Sequence, residues 1–128
     1  MIEKAPLKPC LFVGASRREL KALPDEVQAE FGYALYEARR GGEPLSAKAL
    51  KGFGGRGVLE IVEDFDGSTY RAVYTVSFAG VICVLRAFQK KAKSGIAMPK
   101  SEIDMIKTRL RAAVTNYRAR FRTGGHKR

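Results

Sequence analysis

Two runs of alternating character, VLEIVEDF and STYRAVYTVSF, meet at the dipeptide Asp66-Gly67. An Asp-Gly pair takes up the two left-handed conformations of a tight hairpin turn at little steric cost, so the runs are expected to pair as antiparallel neighbours. A third run, VICVLRAF, follows Ala79-Gly80 after a connection too short for a crossover. The three strands therefore form a meander around which the rest of the chain must pack. Alternation then sorts their side chains. Leu59, Ile61 and Phe65 share one face of the first strand, and Glu60, Val62 and Asp64 the other. In the second strand Tyr70, Ala72, Tyr74 and Val76 alternate with Arg71, Val73 and Thr75. With the apolar sets turned inward, Glu60 and Arg71 both project from the opposite face.

Helical patterns flank this sheet. A short strand over Cys10–Val13 leads into ASRREL, where Ser16 followed three residues later by Glu19 has the form of a capping box. Pro24 opens a second helix with Asp25 and Glu26 in its first turn, and Val27, Phe31, Leu35 and Ala38 recur along one side. Gly41-Gly42 ends it. Residues 41–57 read as a glycine-rich connection. A last helix is expected from an N-cap at Ser101, with Ile103, Ile106, Leu110, Val114, Tyr117 and Phe121 on one side. The expected architecture is α+β: two N-terminal helices, a small antiparallel sheet made of the meander plus the N-terminal strand, and a C-terminal helix. The chain reads as a single domain over 1–128, with 122–128 as a flexible basic tail.

Charge is distributed unevenly. Of 24 Lys+Arg and 13 Asp+Glu, residues 1–85 hold 11 of each, so residues 86–128 hold 13 and 2. The net charge of +11 therefore arises from the third strand onward, beginning with Arg86, Lys90, Lys91 and Lys93. Such polarity suits a polyanion. No run reaches the roughly 18–20 apolar residues of a membrane span, and MIEKAPLKPC lacks the apolar core of a signal peptide. Cys10 and Cys83 sit in separate apolar runs and read as buried thiols rather than a disulfide. The expected setting is the cytoplasm, without a membrane partner.

A plain structural account of the charged residues exists. Arg71 and Glu60 on adjacent strands make a cross-strand ion pair, and lysines at a strand end discourage edge pairing. The alternative is a concave cationic face that grips phosphates.

The phrases AKALKGFGGRGVLEI, DGSTYRAVYTV and VLRAFQKKAKSGIAMPKSEID, in that order, resemble the HigB-like, phage-derived branch of the RelE/ParE toxin superfamily. Upstream, VGASRRELKALPDEVQAEFGYALYEARRGGEP resembles the two-helix lead-in of that branch, so the likeness spans roughly residues 10–115. It implies the toxin of a type II toxin–antitoxin pair that cleaves mRNA on the ribosome. It also implies a cognate antitoxin, commonly a helix-turn-helix protein, in an assembly such as a heterotetramer. By resemblance, Arg71 matches the phosphate-contacting arginine of the tyrosine-arginine strand. Lys90 and Lys91 match the basic pair ending the last strand, and Glu60 matches a glutamate common in the branch. Two positions depart from the pattern. Val62 stands where an arginine is usual, and Arg86 where a histidine is frequent.

Metal-free RNA cleavage needs a base for the 2′-hydroxyl proton, cations for the pentavalent phosphate and an acid for the leaving oxygen. His126, the sole histidine, lies near the chain end, and no carboxylate cluster has metal-ligand spacing. The expectation is a site without cofactor or metal. Arg71 braces the phosphate, Lys90 or Lys91 is the acid with its pKa lowered by neighbouring charge, and Glu60 is the candidate base. Lys48, Lys51, Arg56, Arg86 and Lys93 hold RNA backbone. A ParE-like gyrase inhibitor, and an inactive relative that only binds antitoxin or nucleic acid, remain as alternatives.

Overall fold

The computed structural model describes residues 7–55, 57–90 and 98–126, with side chains through residue 120. In chain order the elements are β1 (Cys10–Phe12), α1 (Ser16–Lys21), α2 (Asp25–Arg39), β2 (Ala47–Ala49), β3 (Val58–Phe65), β4 (Ser68–Thr75), β5 (Ile82–Lys90) and α3 (Lys100–His126). These strands form one sheet in the order β1-β5-β4-β3-β2, and the α+β architecture is the one expected from the sequence.

The hairpin forms at the expected turn. Asp66 and Gly67 have φ of 52° and 81°, and β3 and β4 pair antiparallel from Val58 opposite Thr75 to Phe65 opposite Ser68. Two features go beyond the pattern. β2 lies inside the stretch read as a connection and pairs antiparallel with β3, Lys48 opposite Glu60; three residues are too few for alternation to show. β1 runs parallel to β5, with Leu11 opposite Cys83, because the chain crosses over through two helices and the meander before β5 is made.

Both faces of the sheet are covered. On one, Val27, Phe31, Ala34, Leu35 and Ala38 of α2 pack on Leu59, Ile61, Tyr70, Ala72, Tyr74, Ile82 and Val84. Burial of a side chain like Phe31, fully enclosed here, stabilises by about 1.5–3 kcal/mol. On the other face Ile106 and Ala113 of α3 pack on Val58, Val73, Cys83 and Leu85. Cys10 packs into the first layer and Cys83 into the second, so the two thiols lie on opposite sides of adjacent strands. Burial pushes both of them up from the usual thiol pKa, with a smaller opposing pull on Cys10 from Arg39 and on Cys83 from Arg120.

The helix ends are set partly as expected. Pro24, at φ −56° and ψ 148°, precedes α2, and Gly41 at φ 91° follows it. The Ser16–Glu19 pair does not form a capping box. Ser16 is the first residue of α1, Ala15 is the cap without a side-chain bond, and the Ser16 hydroxyl donates instead to the Val84 carbonyl at 3.1 Å. α3 starts at Lys100, one residue ahead of the expected cap. It extends to His126, through residues whose composition had suggested a tail.

Candidate phosphate-binding site

The face of the sheet turned toward α3 carries Glu60 and Arg71, in the middle of β3 and β4, on the same side as Val73. Glu60 and Arg71 sit diagonally across the hairpin, since Glu60 is opposite Val73 and Val62 is opposite Arg71. Arg71 Nη1 donates to Glu60 Oε2 at 2.5 Å, and the two side chains are only 7% and 4% exposed. The pair is therefore an internal one. Removing Arg71 strands the buried Glu60 charge, which costs about 3–5 kcal/mol, whereas exposed pairs are worth about 0–1 kcal/mol.

A cleft of about 490 Å³ opens onto this pair, walled by Lys48, Lys51, Glu60, Arg71 and, from the α3 side, Met98 and Ile103. Lys48 points to the same face as Glu60 because the two are register partners. Lys51 lies in the turn after β2 and is exposed. On the other flank, β5 places Phe88 opposite Arg71 and Lys90 opposite Thr69. Phe88, Lys90, Pro99 and Glu102 line a second groove of about 390 Å³. Thus Arg71 has the lysines of β2 and its turn on one side and Lys90 on the other.

The Lys90 ammonium is held below the usual lysine range. Desolvation contributes most, the Arg71 charge adds to it, and Glu60 pulls the other way. This coupling joins Lys90 electrostatically to the buried pair. A lysine with a lowered pKa gives up its proton more readily at neutral pH.

Arg86 is used differently from the expectation. It was expected to hold RNA backbone, but its guanidinium binds Glu102 through two hydrogen bonds of 2.6 and 2.8 Å and Glu19 at 2.8 Å. Two carboxylates from distant parts of the chain compensate it, which the local sequence does not reveal. The Glu102 hydrogen bond is the main cause that raises its pKa. Lys91, Lys93 and Arg56 lie outside the described residues. Among the described residues no group of three His, Cys, Asp or Glu side chains converges as metal ligands. No helix among them is long and apolar enough to cross a membrane.

Residues 18–111 match the model of the family described as "Phage derived protein Gp49-like (DUF891)". The chain belongs to that family. The match takes in most of α1, all of α2, the whole meander and the first part of α3, and so includes every described candidate residue of the site. No curated protein matches the chain. Among solved structures, the toxin–antitoxin complex RelBE2 from Mycobacterium tuberculosis is similar at 23% identity and a TM-score of 0.47, over 66% of this chain and 100% of that one.

In this Gp49-like chain five residues that build or support the site were not legible as such in the sequence. Met98 and Ile103 wall the cleft because α3 crosses the face of the sheet there. Phe88 lies beside Arg71 through strand register, with the Arg86 guanidinium 5.1 Å from its ring centroid. Glu19 and Arg109 bond each other and tie α1 and α3 to β5 through the Ala87 N–H and the Leu85 carbonyl. Glu19 had a visible signal, a carboxylate three residues after a serine, but the pattern pointed to helix capping.

Proposed function

We propose that this protein is the toxin of a type II toxin–antitoxin pair and acts as a ribosome-dependent, metal-independent mRNA endoribonuclease. The observation that carries this reading is the placing of Arg71 and Lys90 on one face of adjacent strands, electrostatically coupled, with Glu60 against the arginine. Membership of a phage-derived family and the resemblance to HigB-like toxins support it.

In this reading the scissile phosphate enters between Lys48 and Lys90 and meets Arg71, whose planar fork suits phosphate oxygens. The ribose 2′-oxygen attacks phosphorus as its proton passes to a base, for which Glu60 is the candidate. The bond from phosphorus to the 5′-oxygen breaks, and that oxygen takes a proton from Lys90. The products are a 2′,3′-cyclic phosphate and a free 5′-hydroxyl. Because Glu60 already holds Arg71, it serves as base only where the phosphate draws the guanidinium from it; otherwise it positions Arg71. The side chains on this face offer modest acid–base power, so alignment of the mRNA by the ribosome supplies much of the rate. Lys48 and Lys51 add backbone contacts that weaken with salt. The protein works in the cytoplasm and is neutralised by a cognate antitoxin, commonly a helix-turn-helix protein.

The near-complete burial of Arg71 and Glu60 favours a second reading, a non-cleaving relative whose ion pair only braces the sheet. Mapping of mRNA 5′ ends after induced expression distinguishes them. Ends bearing 5′-hydroxyls within translated codons, lost in Arg71→Lys and Lys90→Ala, are expected. Intact mRNA with unaffected growth overturns the nuclease reading, and intact mRNA with a DNA-damage response points to a gyrase inhibitor instead.

A further inference from the structure

The register of β5 against β4 breaks once. Tyr74 is opposite Val84 but Val73 is opposite Arg86, so Leu85 is an inserted residue, a β-bulge. The consequence is geometric. Cys83 and Leu85 both pack toward α3. Strict alternation from there would turn Ala87 and Gln89 toward α3 and send Arg86, Phe88 and Lys90 to the α2 side. The bulge puts Leu85 and Arg86 on the same face, so that Phe88 comes beside Arg71 and Lys90 beside Thr69. A one-residue change of register moves every following side chain across the sheet.

On the edge away from β4, the backbone around the bulge is held by α1, α3 and the turn before α1 rather than by another strand. β1 ends at Phe12, opposite Val84, and beyond that point the outer edge of β5 meets α1 and α3. The Val84 carbonyl accepts from Val13 N–H at 3.0 Å and from the Ser16 hydroxyl. The Leu85 carbonyl accepts from Arg109 Nη1 at 2.9 Å. The Ala87 N–H donates to Glu19 Oε1 at 3.3 Å. Glu19 and Arg109 are joined to each other by two hydrogen bonds of 2.8 Å, and Glu19 also pairs with Arg86. Arg109 reaches this point past Gly14, where an added Cβ would lie 3.1 Å from its Nε and where φ is +58°.

We propose that Glu19, acting with Arg109, is a positioning residue that holds the Leu85 bulge and thereby turns Phe88 and Lys90 onto the face that carries Arg71 and Glu60. The proposal assigns a role to this clamp within the site of the preceding section, and its functional meaning rests on that reading. Glu19 touches none of the reacting groups; it acts through the register of β5.

The test uses the full chain with Glu19→Ala, and Glu19→Gln as the gentler variant that keeps an acceptor for Ala87 N–H. Cross-strand NOEs between Arg71 and Phe88 and between Thr69 and Lys90 report the register, and NOEs between Phe31 and Ile61 report the α2 layer. Titration of Lys90 Nζ, followed by NMR after 13C-methylation, reports its surroundings. Glu19→Ala is expected to lose the Arg71–Phe88 and Thr69–Lys90 signals while keeping Phe31–Ile61. Lys90 should then titrate closer to the ordinary lysine value of 10.5, with Glu19→Gln in between, and cleavage of translated mRNA should fall at least tenfold. Unchanged register and unchanged Lys90 titration in both variants overturn the proposal. If Glu19→Ala does not fold, Glu19→Gln decides by the same signals. A wild-type chain that cuts no mRNA would defeat the nuclease reading alone, because the NMR readouts still decide whether Glu19 sets β5.

Discussion

Arg71→Ala exposes the difficulty of testing a residue that is proposed as catalytic and is also internal. The substitution leaves the Glu60 carboxylate, 4% exposed, without the guanidinium that lies 2.5 Å away. Stranding such a charge costs about 3–5 kcal/mol, a third or more of the total stability of many domains, which is about 5–15 kcal/mol. Lost toxicity in the single variant would therefore follow from unfolding as readily as from a missing phosphate contact. Replacing both partners by apolar residues of similar size, Glu60→Leu with Arg71→Met, removes the charge and its compensation together. Stability is then expected within about 1 kcal/mol of wild type, or above it, so the two single changes are far from additive. Urea denaturation followed by circular dichroism of the four chains of the cycle measures this coupling. Single variants that each lose less than about 1 kcal/mol, and that add, would show an ordinary solvent-screened pair and refute the reasoning. The stable double variant then gives the clean functional test, because it should fold and yet cut no mRNA.

Three further outcomes follow from the same geometry. If Lys90 is the proton donor, cleavage slows as pH rises through its lowered pKa, so the descending limb lies below the ordinary lysine value of 10.5; Lys90→Arg, which does not deprotonate in this range, should abolish that limb in single-turnover assays on ribosome-bound mRNA. Burial by itself would raise the Glu19 carboxyl, but hydrogen bonding from Arg109, the Arg86 charge and the Ala87 N–H outweigh it and hold the group below its usual 4.5. A carboxyl lowered in the folded state stabilises fully above its unfolded pKa and loses that contribution as pH falls through the folded one. The denaturation difference between wild type and Glu19→Gln should accordingly be largest near neutrality and shrink below about pH 4.3. Gly67→Ala, at φ 81° with open space around the Cβ position, should cost about 1–2 kcal/mol from backbone strain alone, seen as a lowered Tm without change in the β3–β4 register.

Much of the fold was legible because its signals are local. The turn at Asp66-Gly67, the apolar side of α2 and the alternation along β3 and β4 depend on a few neighbouring residues each, and the structure forms all three. That Glu60 and Arg71 share a face followed from the same alternation. Their diagonal contact did not, because register belongs to the pairing of two strands. β2 stayed hidden for a related reason: three residues hold too little pattern to stand out from a glycine-rich stretch.

Other features arose only in three dimensions. Arg86 sits in a run of cations in the sequence, yet its charge is met by Glu19 and Glu102, 67 and 16 residues away along the chain. The Ser16–Glu19 pair has the spacing of a cap but serves the edge of β5, since a hydroxyl and a carboxylate satisfy whichever backbone groups the tertiary structure presents. By itself, then, the chain determined where its helices and its strands other than β2 lie, and which charges crowd toward its second half. The bulge at Leu85 decided that Lys90 joins Arg71 on one face, because a strand's side chains change sides with each residue and only the partners across the sheet set where that count is broken.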